Sequence, residues 1–451
     1  MSAQEEREDE YINDEDAEEI IHEESDDGGE EPMSDEDENE GDDQFEGTQL
    51  EMGEGYGQED FRISADGTTM VFDPDGDFDE GAEGSSAQKD AGEDNSLVAA
   101  VVHKEDSSVF DIALHPAHPN PSLAVSGGED DMGYIFDTAN GQKLVELSGH
   151  TDSVVAVAFS SDGQFVATGG MDGRVRVWKR VGTEDWNNWE FLTSLEGPDE
   201  VTCLTWHPKG PVLAVGSNDT TVWMWQLPSG NTMQVFAGHT DAITAISFTP
   251  DGKRLLTTSA DSFLIVWDPR SPSPSQTFNP TDGRFNLADG ITSLAIHPSS
   301  NLAVVGGGAG GIRVVNLIKS EVVRGFQGHK EEESVESLVF LDIAGNGVVV
   351  SAGTDGKAFV WDVTTGRLRS TLEHPEAITS IRLHPAPMNH LLTTASADAT
   401  LKTWDVRNGS LIAHHKGHQA VINALAVGSG GEGKSAIVTA GDDGASLVWL
   451  V

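Results

Sequence analysis

The sequence predicts an all-β fold, an eight-bladed β-propeller, from two repeating signals. A short apolar strand with an aromatic or aliphatic marker recurs eight times; the markers are Phe136, Trp178, Trp225, Trp267, Val315, Trp361, Trp404 and Trp449. Successive markers lie 42 to 48 residues apart, close to the length of one four-stranded blade. Eight further segments (DIALHP, AVAFSS, CLTWHP, AISFTP, SLAIHP, SLVFLD, SIRLHP and ALAVGS) supply the innermost strand of each blade.

Polar residues recur at fixed distances from these markers. An aspartate lies six residues before the marker in seven units, a Ser or Thr lies four residues before the aspartate in six, and a histidine opens the same six. The sets are His103, Ser126 and Asp130; His150, Thr168, Asp172 and Trp178; His239, Thr257, Asp261 and Trp267; His329, Ser351, Asp355 and Trp361; His374, Thr394, Asp398 and Trp404; His418, Thr439, Asp443 and Trp449. In this pattern the units resemble WD repeats.

The resemblance to WD repeats implies a structural role for these residues. In such repeats the histidine links an aspartate in the turn between strands b and c to the hydroxyl on strand b and to the indole on strand c, where strands a to d run from the channel outward. A fully paired buried network of this kind holds a turn in one orientation. Ser-His-Asp catalysis or metal binding needs one site, whereas this pattern occurs six times, so we predict no catalytic residues and no metal site here.

Two units depart from the pattern, and one blade needs both ends of the chain. The third unit has Pro198 and Val215 in place of the histidine and hydroxyl but keeps Asp219 and Trp225; the fifth has Val305, Ala309 and Val315. Replacing a whole polar network by apolar groups leaves nothing unpaired and is nearly neutral. The sequence ends just after the last strand c, so we expect the apolar run at 96–102 to close the ring as strand d of blade 8.

Charge divides the chain into segments. The formal charge is −51, and residues 1–95 hold 38 acidic against 3 basic side chains. We predict a disordered acidic tail over 1–60, an acidic linker over 61–95 that is partly docked, and the propeller over 96–451. The alternate spacing of Asp73, Asp75, Asp77 and Asp79 resembles part of a calcium loop, but the turn glycine and closing glutamate are missing, which favours an ordinary acidic stretch.

Composition also excludes classes of function. One cysteine (Cys203) rules out an internal disulfide framework. No run of 18 apolar residues occurs, and the first residues are acidic where a signal peptide has a basic flank and an apolar stretch, so we expect a soluble protein that is not secreted by that route. The negative charge argues against direct binding of nucleic acid or anionic membranes and favours a basic partner. Without a P-loop, a Cys/His cluster or an isolated nucleophile, we predict that the chain is not an enzyme and needs no cofactor; Cys203 is expected in the core.

The loops that enter strand a carry acidic residues in six consecutive blades, within HTDSV, GPDEV, HTDAI, LADGI, HKEEESV and HPEAI. We predict that these carboxylates, with two from neighbouring b to c turns, ring one face and bind a basic ligand: Asp131, Asp152, Asp199, Glu200, Asp241, Asp289, Glu331, Glu332, Glu333, Glu376 and Asp442. The alternative is that each aspartate only favours a solvated turn, since Asp after Gly-His-Thr is common in WD repeats.

The stretch LSGHTDSVVAVAFSSDGQFVATGGMDGRVRVWK, the acidic N-terminus and the eight-unit length are similar to the angio-associated migratory cell protein family. That resemblance covers about residues 95–451 and implies a function found in fungal members. They are dedicated chaperones that hold the basic N-terminal segment of a large-subunit ribosomal protein of the universal L-sixteen class during ribosome assembly. Before it binds its partner, we expect the protein to be a monomer in the cytoplasm. Presence in the nucleus is also compatible with the sequence.

Two other functions stay open from the sequence. Trp267-Asp268-Pro269-Arg270 and Trp404-Asp405-Val406-Arg407 match a W-D-x-R pattern of substrate receptors of cullin-type ubiquitin ligases, although such an arginine often only pairs with a nearby carboxylate. The acidity is also compatible with a histone-binding or signalling scaffold.

Overall fold

The computed structural model describes residues 94–182, 186–287, 289–343 and 345–451. By contacts the chain divides into Met1–Ala82 and Glu83–Val451, and all described residues belong to the second unit. Regular secondary structure in this part of the chain consists of strands, arranged as eight antiparallel four-stranded sheets. None of the described residues forms a helix that could span a membrane.

The sheets follow the chain in order, one blade after another. Blade 1 is β2 (Val109–Leu114), β3 (Leu123–Gly128), β4 (Gly133–Asp137) and β5 (Lys143–Leu147); blade 2 is β6 (Val154–Phe159), β7 (Phe165–Gly170), β8 (Val175–Arg180) and β9 (Trp189–Leu195); blade 3 is β10 (Val201–Trp206), β11 (Val212–Ser217), β12 (Thr221–Gln226) and β13 (Asn231–Ala237); blade 4 is β14 (Ile243–Phe248), β15 (Leu255–Ser259), β16 (Leu264–Trp267) and β17 (Pro274–Phe278). Blade 5 is β18 (Ile291–Ile296), β19 (Leu302–Gly307), β20 (Gly311–Asn316) and β21 (Glu321–Gln327); blade 6 is β22 (Val335–Ile343), β23 (Asn346–Gly353), β24 (Lys357–Asp362) and β25 (Leu368–Glu373); blade 7 is β26 (Ile378–Leu383), β27 (Leu391–Ser396), β28 (Leu401–Asp405) and β29 (Ser410–His415); blade 8 is β30 (Ile422–Gly431), β31 (Lys434–Gly441), β32 (Ser446–Leu450) and β1 (Val98–Ala100).

The blades form a closed ring. Each innermost strand contacts the innermost strand of the next blade, and β30 of blade 8 contacts β2 of blade 1. The apolar residues of strands b and c pack between neighbouring blades; Leu213, Leu255 and Val304 are completely buried. All eight innermost strands carry a register shift between their first and third residues, a bulge that turns the intervening residue out of the ladder.

Ring closure uses both ends of the propeller, as predicted from the apolar run at 96–102. The short strand β1 pairs antiparallel with β32, with Val98 opposite Val448 and Ala100 opposite Ser446. Asn95 adds a second attachment, because its side-chain Nδ2 donates to the carbonyl of His414 at 3.0 Å. The outer edge of strand c in blade 8 is therefore paired, which removes an edge that would invite aggregation.

In all six sets the histidine joins the aspartate of the turn to the hydroxyl on strand b. The histidine Nδ1 lies 2.9–3.0 Å from the aspartate carboxylate, and Nε2 lies 2.6–2.9 Å from the hydroxyl on strand b. The indoles of Trp267, Trp361 and Trp404 donate to the same hydroxyls. Burial alone would raise the pKa of Asp398, but hydrogen bonds from His374 and Thr400 hold it at about 2. The pairing therefore keeps this carboxylate charged.

Two tryptophans do not fit the predicted network. Trp449 Nε1 donates to Asn95 Oδ1 at 3.0 Å rather than to the hydroxyl of Thr439, because the N-terminal segment lies against this indole. Within the described residues no hydrogen bond joins Trp178 to Thr168; the Trp178 ring instead packs edge-on against Phe191. The indole contact is thus the variable part of an otherwise repeated network.

The two degenerate blades use different replacements. In blade 3, Asp219 accepts hydrogen bonds from the backbone and hydroxyl of Thr221, and the hydroxyl in turn accepts one from Trp223 Nε1 at 2.9 Å. In blade 5, Leu287 is buried beside Gly307, the place where network histidines in other blades lie beside the equivalent glycine. An apolar side chain therefore fills the place that a histidine takes in other blades. Because blade 5 also lacks the aspartate and the hydroxyl, no buried polar group of the network is left without a partner.

Candidate functional site: the mouth of the channel

The predicted carboxylates all lie at one end of the channel. In each blade, strand a begins and strand b ends at the same edge, so the loops before strand a and the turns between strands b and c share one face. We call this face the mouth. Nine of the eleven residues lie in loops before strand a, and Asp131 and Asp442 lie in b to c turns. The antiparallel order of the strands thus gathers residues that are far apart in the chain.

One loop position carries most of this charge. Two residues before strand a, blades 2 to 7 have Asp152, Asp199, Asp241, Asp289, Glu333 and Glu376. Blades 8 and 1 have Ala420 and Ser107 at the same position, so the row is interrupted there. Glu200 follows directly after Asp199, and Glu331 and Glu332 precede Glu333. Glu200, Glu331 and Glu332 are exposed, and Glu333 is partly buried. The row is densest at blade 6.

A second position fills the interruption. The residue directly after strand b donates its backbone N–H to the carbonyl of the residue just before strand a, as Asp442 does to Val421 and Glu129 to Ser108. These two carboxylates occupy blades 8 and 1, the blades that lack an acid in the first row. All eight blades therefore place a carboxylate at the mouth. In blades 2 to 7 it lies in the first row, two residues before strand a, and in blades 8 and 1 it lies in the second row, directly after strand b.

Glu129 and Glu336 are among the mouth carboxylates that sequence reasoning missed. Glu129 accepts a hydrogen bond from the backbone N–H of Ser108 at 3.2 Å. Glu336 is the second residue of strand a in blade 6 and its side chain is exposed. Aligning all residues that directly follow strand b would have found Glu129, since Asp442 occupies the same register. Glu336 gives no such signal, because five of its seven counterparts are neutral polar residues and two are apolar.

Asp131 lies on the same face but has a different environment. It adopts a left-handed backbone conformation, with φ of 63°, at the third residue after strand b. Every blade has a positive φ at this turn position, filled elsewhere by residues such as Gly173, Thr220 and Ala399. Aspartate tolerates this conformation better than most residues. The turn geometry therefore accounts for an aspartate at this position. Asp131 belongs to neither of the two rows of mouth carboxylates.

The mouth retains an excess of negative charge. Among the described residues, Lys or Arg side chains pair with Glu146, Glu321, Asp362, Glu373 and Asp405, which lie outside the two rows. The same loops and turns also contain five cations, fewer than the carboxylates: Lys104, Arg174, Arg284, Lys330 and Lys416. Like charges concentrated around a concave opening focus the field on an approaching cation.

Two other groups of chemical interest are the Cys203 thiol and clusters of possible metal ligands. Burial raises the pKa of the Cys203 thiol to about 11, so this group stays protonated and is a poor nucleophile. Its side chain is only partly buried and packs against the core between blades 3 and 4. No group of three or more candidate ligands that could hold a metal ion was found among the described residues. The calcium-loop candidate, Asp73 to Asp79, lies outside them.

The W-D-x-R motifs form local contacts. Arg407 binds Asp405 of its own motif through two nitrogens, with Nη2 2.6 Å from Oδ2 and Nε 2.9 Å from Oδ1. In the other motif, the backbone N–H of Arg270 donates to Asp268 at 3.0 Å. The Arg407 side chain is exposed, but the Asp405 carboxylate already occupies one edge of its guanidinium plane.

Comparison with known proteins agrees with this architecture. The family described as WD domain, G-beta repeat matches residues 141–179, 320–362 and 366–405, and the IFT140 first beta-propeller family matches 191–271. A ribosome assembly protein, SQT1 of Saccharomyces cerevisiae, is 25% identical over 77% of this chain and 85% of its own length. The crystal structure of Chaetomium thermophilum Sqt1 bound to the N-terminus of the ribosomal protein L10 superposes with a TM-score of 0.72 at 27% identity, covering 80% of this chain and 100% of that one.

Relatives with higher sequence identity cover a similar part of the chain. An uncharacterised WD repeat-containing protein of Schizosaccharomyces pombe is 35% identical over 79% of this chain and 86% of its own length. The angio-associated migratory cell protein of Homo sapiens is 31% identical over 369 residues, 79% of this chain and 80% of the human protein. With the eight-bladed WD-repeat fold and this extent of similarity, the chain belongs to the angio-associated migratory cell protein family.

Proposed function

We propose that this chain is a non-enzymatic chaperone that holds the basic N-terminal segment of a newly made large-subunit ribosomal protein, of the L-sixteen class, at the mouth of its propeller. The observation that carries the proposal is the presence of a mouth carboxylate in all eight blades. The likeness to a propeller solved with the N-terminus of ribosomal protein L10 supports the choice of ligand. The site of action is the cytoplasm, and the free chain is a monomer.

The charge distribution suits temporary capture of such a segment. Newly made ribosomal proteins are rich in Lys and Arg and tend to bind RNA or aggregate, so a negative mouth covers their charges until ribosomal RNA displaces it. Exposed charge pairs contribute mainly to the association rate and to specificity. Binding a disordered segment also costs ordering entropy, which lowers affinity and favours release. A steered but reversible complex is what a chaperone requires.

Charge reversal at the mouth tests the proposal. The double variant Glu332→Lys with Asp442→Lys should abolish binding of an L10 N-terminal peptide, measured by isothermal titration calorimetry, and leave the circular dichroism spectrum unchanged. The control, Glu190→Lys with Glu432→Lys, makes the same change of net charge on the outer strand of blade 2 and on the opposite end of the channel. Equal affinity of the mouth variant and the wild type would remove the mouth as the binding site.

The alternative functions lead to different partners. Docking of a cullin-type ligase adaptor is disfavoured because Asp405 already binds Arg407 in its own motif. A histone-binding or signalling scaffold would use the same acidic mouth. Affinity purification with mass spectrometry separates the three: a ribosomal protein supports the proposal, whereas a cullin adaptor or histones without a ribosomal protein would contradict it.

A further inference from the structure

The channel wall just inside the mouth is polar in six blades and apolar in two. The bulged second residue of each innermost strand lines this level: Phe110, Val155, Thr202, Thr244, Thr292, Glu336, Thr379 and Asn423 in blades 1 to 8. Thr292, Thr379 and Asn423 show the orientation, because each donates to the carbonyl of the first residue of the next innermost strand. Only blades 1 and 2 place large apolar side chains, Phe110 and Val155, at this level.

Met171 extends this apolar sector onto the mouth itself. It directly follows strand b of blade 2, the register of Glu129 and Asp442, and its backbone N–H donates to the carbonyl of Ser153 at 2.9 Å. Its side chain is 46% exposed. The other blades carry Glu129, Asn218, Ala260, Gly308, Thr354, Ala397 and Asp442 here. Met171 is therefore the one large apolar residue in this row, and Val155 lies two residues after its hydrogen-bond partner.

Charge surrounds this sector and is strongest on the opposite side of the ring. Asp152 and Asp199 flank blade 2 in the first row, and Glu129 precedes it in the second. Blade 6, four blades away in a ring of eight, holds Glu333 together with the exposed Glu336. A ligand that crosses the opening therefore meets an apolar wall at one side and carboxylates at the other.

We propose that Phe110, Val155 and Met171 form a subsite for one large aliphatic or aromatic side chain of the bound basic peptide. The inference rests on the proposed function, whose ligand it specifies further: the segment must combine an apolar residue with its Lys and Arg residues. Removing that side chain and Met171 from water adds an attraction that salt does not screen. Because the apolar and acidic sides differ, the peptide crosses the mouth in one direction.

The sector is tested with residues that blade 3 itself carries at these positions. The variant Val155→Thr with Met171→Asn should weaken binding of the L10 N-terminal peptide about tenfold at every salt concentration, measured by fluorescence anisotropy. The slope of log Kd against log salt should stay unchanged, whereas Glu332→Gln should reduce it. Met233→Asn, on the outer strand of blade 3 and also 46% exposed, is the matched control and should bind normally. Wild-type affinity in the double variant would overturn the subsite.

A second pair of probes separates this inference from the proposed function. Two synthetic Arg-rich peptides differ only by a central Tyr or Ser. Wild-type protein should bind the Tyr peptide about tenfold more tightly, and the double variant should not distinguish the two. If the L10 peptide fails to bind while this preference is present, the proposed function fails and the subsite stands. If L10 binds but the preference is absent, the subsite is contradicted and the proposed function stands.

Discussion

Single side chains decide whether a blade uses a polar or an apolar connection to its turn. In blade 4, His239 lies 2.7 Å from the Thr257 hydroxyl, which also accepts a hydrogen bond from Trp267 at 2.9 Å. In blade 5, Leu287 and Val305 fill the corresponding places without any polar atom. Either solution is consistent within its own blade, but a mixture leaves a buried polar group without a partner, which is the costly case.

Removing one network hydroxyl should therefore be expensive. Thr257→Val keeps the side-chain shape but leaves His239 Nε2 and the Trp267 indole N–H each without a partner, so the free energy of unfolding should fall by about 2–4 kcal/mol. Equilibrium urea denaturation measures the change. Thr364→Val is the same substitution on an exposed turn residue and should cost less than about 0.5 kcal/mol. Equal stability of the two variants would contradict a stabilising role for the network.

At the scale of elements, blade 8 depends on a segment more than 300 residues away in the chain. Leu97 donates its backbone N–H to the carbonyl of Val448 at 2.8 Å, and Asn95 Oδ1 accepts from both Trp449 Nε1 and the Lys416 backbone. Ala100 and Val102 are buried in the core between blades 8 and 1. The ring is thus held by one short strand together with a side-chain contact.

Removal of this strand should weaken the whole ring. A chain that starts at His103 lacks β1, and we expect its free energy of unfolding to be about 3–5 kcal/mol below that of a chain that starts at Asp94, because apolar burial and strand pairing are both lost. Urea denaturation of the two chains gives the comparison, and Asn95→Ala in the longer chain isolates the side-chain contact. A shorter chain as stable as the longer one would show that β1 does not close the ring energetically.

At the scale of the whole molecule, buried histidines couple stability to pH. Burial lowers the pKa of His115, His384 and His415 to about 4, below the ordinary value of 6.5. The unfolded chain therefore binds more protons than the folded one between pH 6.5 and 4, and stability falls as pH falls through this window. Asp111 acts in the opposite direction, since burial between blades raises its pKa to about 6. Three histidines outweigh one carboxyl group.

The expected result is a loss of stability on mild acidification. Near pH 5, unfolding should take up about two protons, so the urea midpoint should fall from pH 7 to pH 5. His384→Gln removes one of the contributing groups and should make this dependence shallower, even if the variant is less stable at pH 7. A midpoint that rises on acidification in the wild type would mean that Asp111 and similar carboxyl groups dominate instead.

The position of the acidic mouth could be predicted from the sequence, but not every residue that belongs to it. The acidic residues before strand a follow a visible motif, so Asp152, Asp199 and Asp241 could be named in advance. Glu129 lies outside that motif, and only an alignment of the residues that directly follow strand b, the register of Asp442, points to it. Asp131 was included although the turn accounts for its conformation.

The sequence by itself determined the number of blades, the six histidine networks and the closure of the ring by both termini. These features are carried by periodicity, since a blade-length repeat keeps each polar residue at the same offset from its strand. Only the tertiary structure decided that Asn95 replaces Thr439 as the partner of Trp449, that Leu287 fills a histidine site, and that apolar residues gather in blades 1 and 2. Those outcomes depend on which separate segments the closed ring brings side by side, and no local pattern along the chain records that contact.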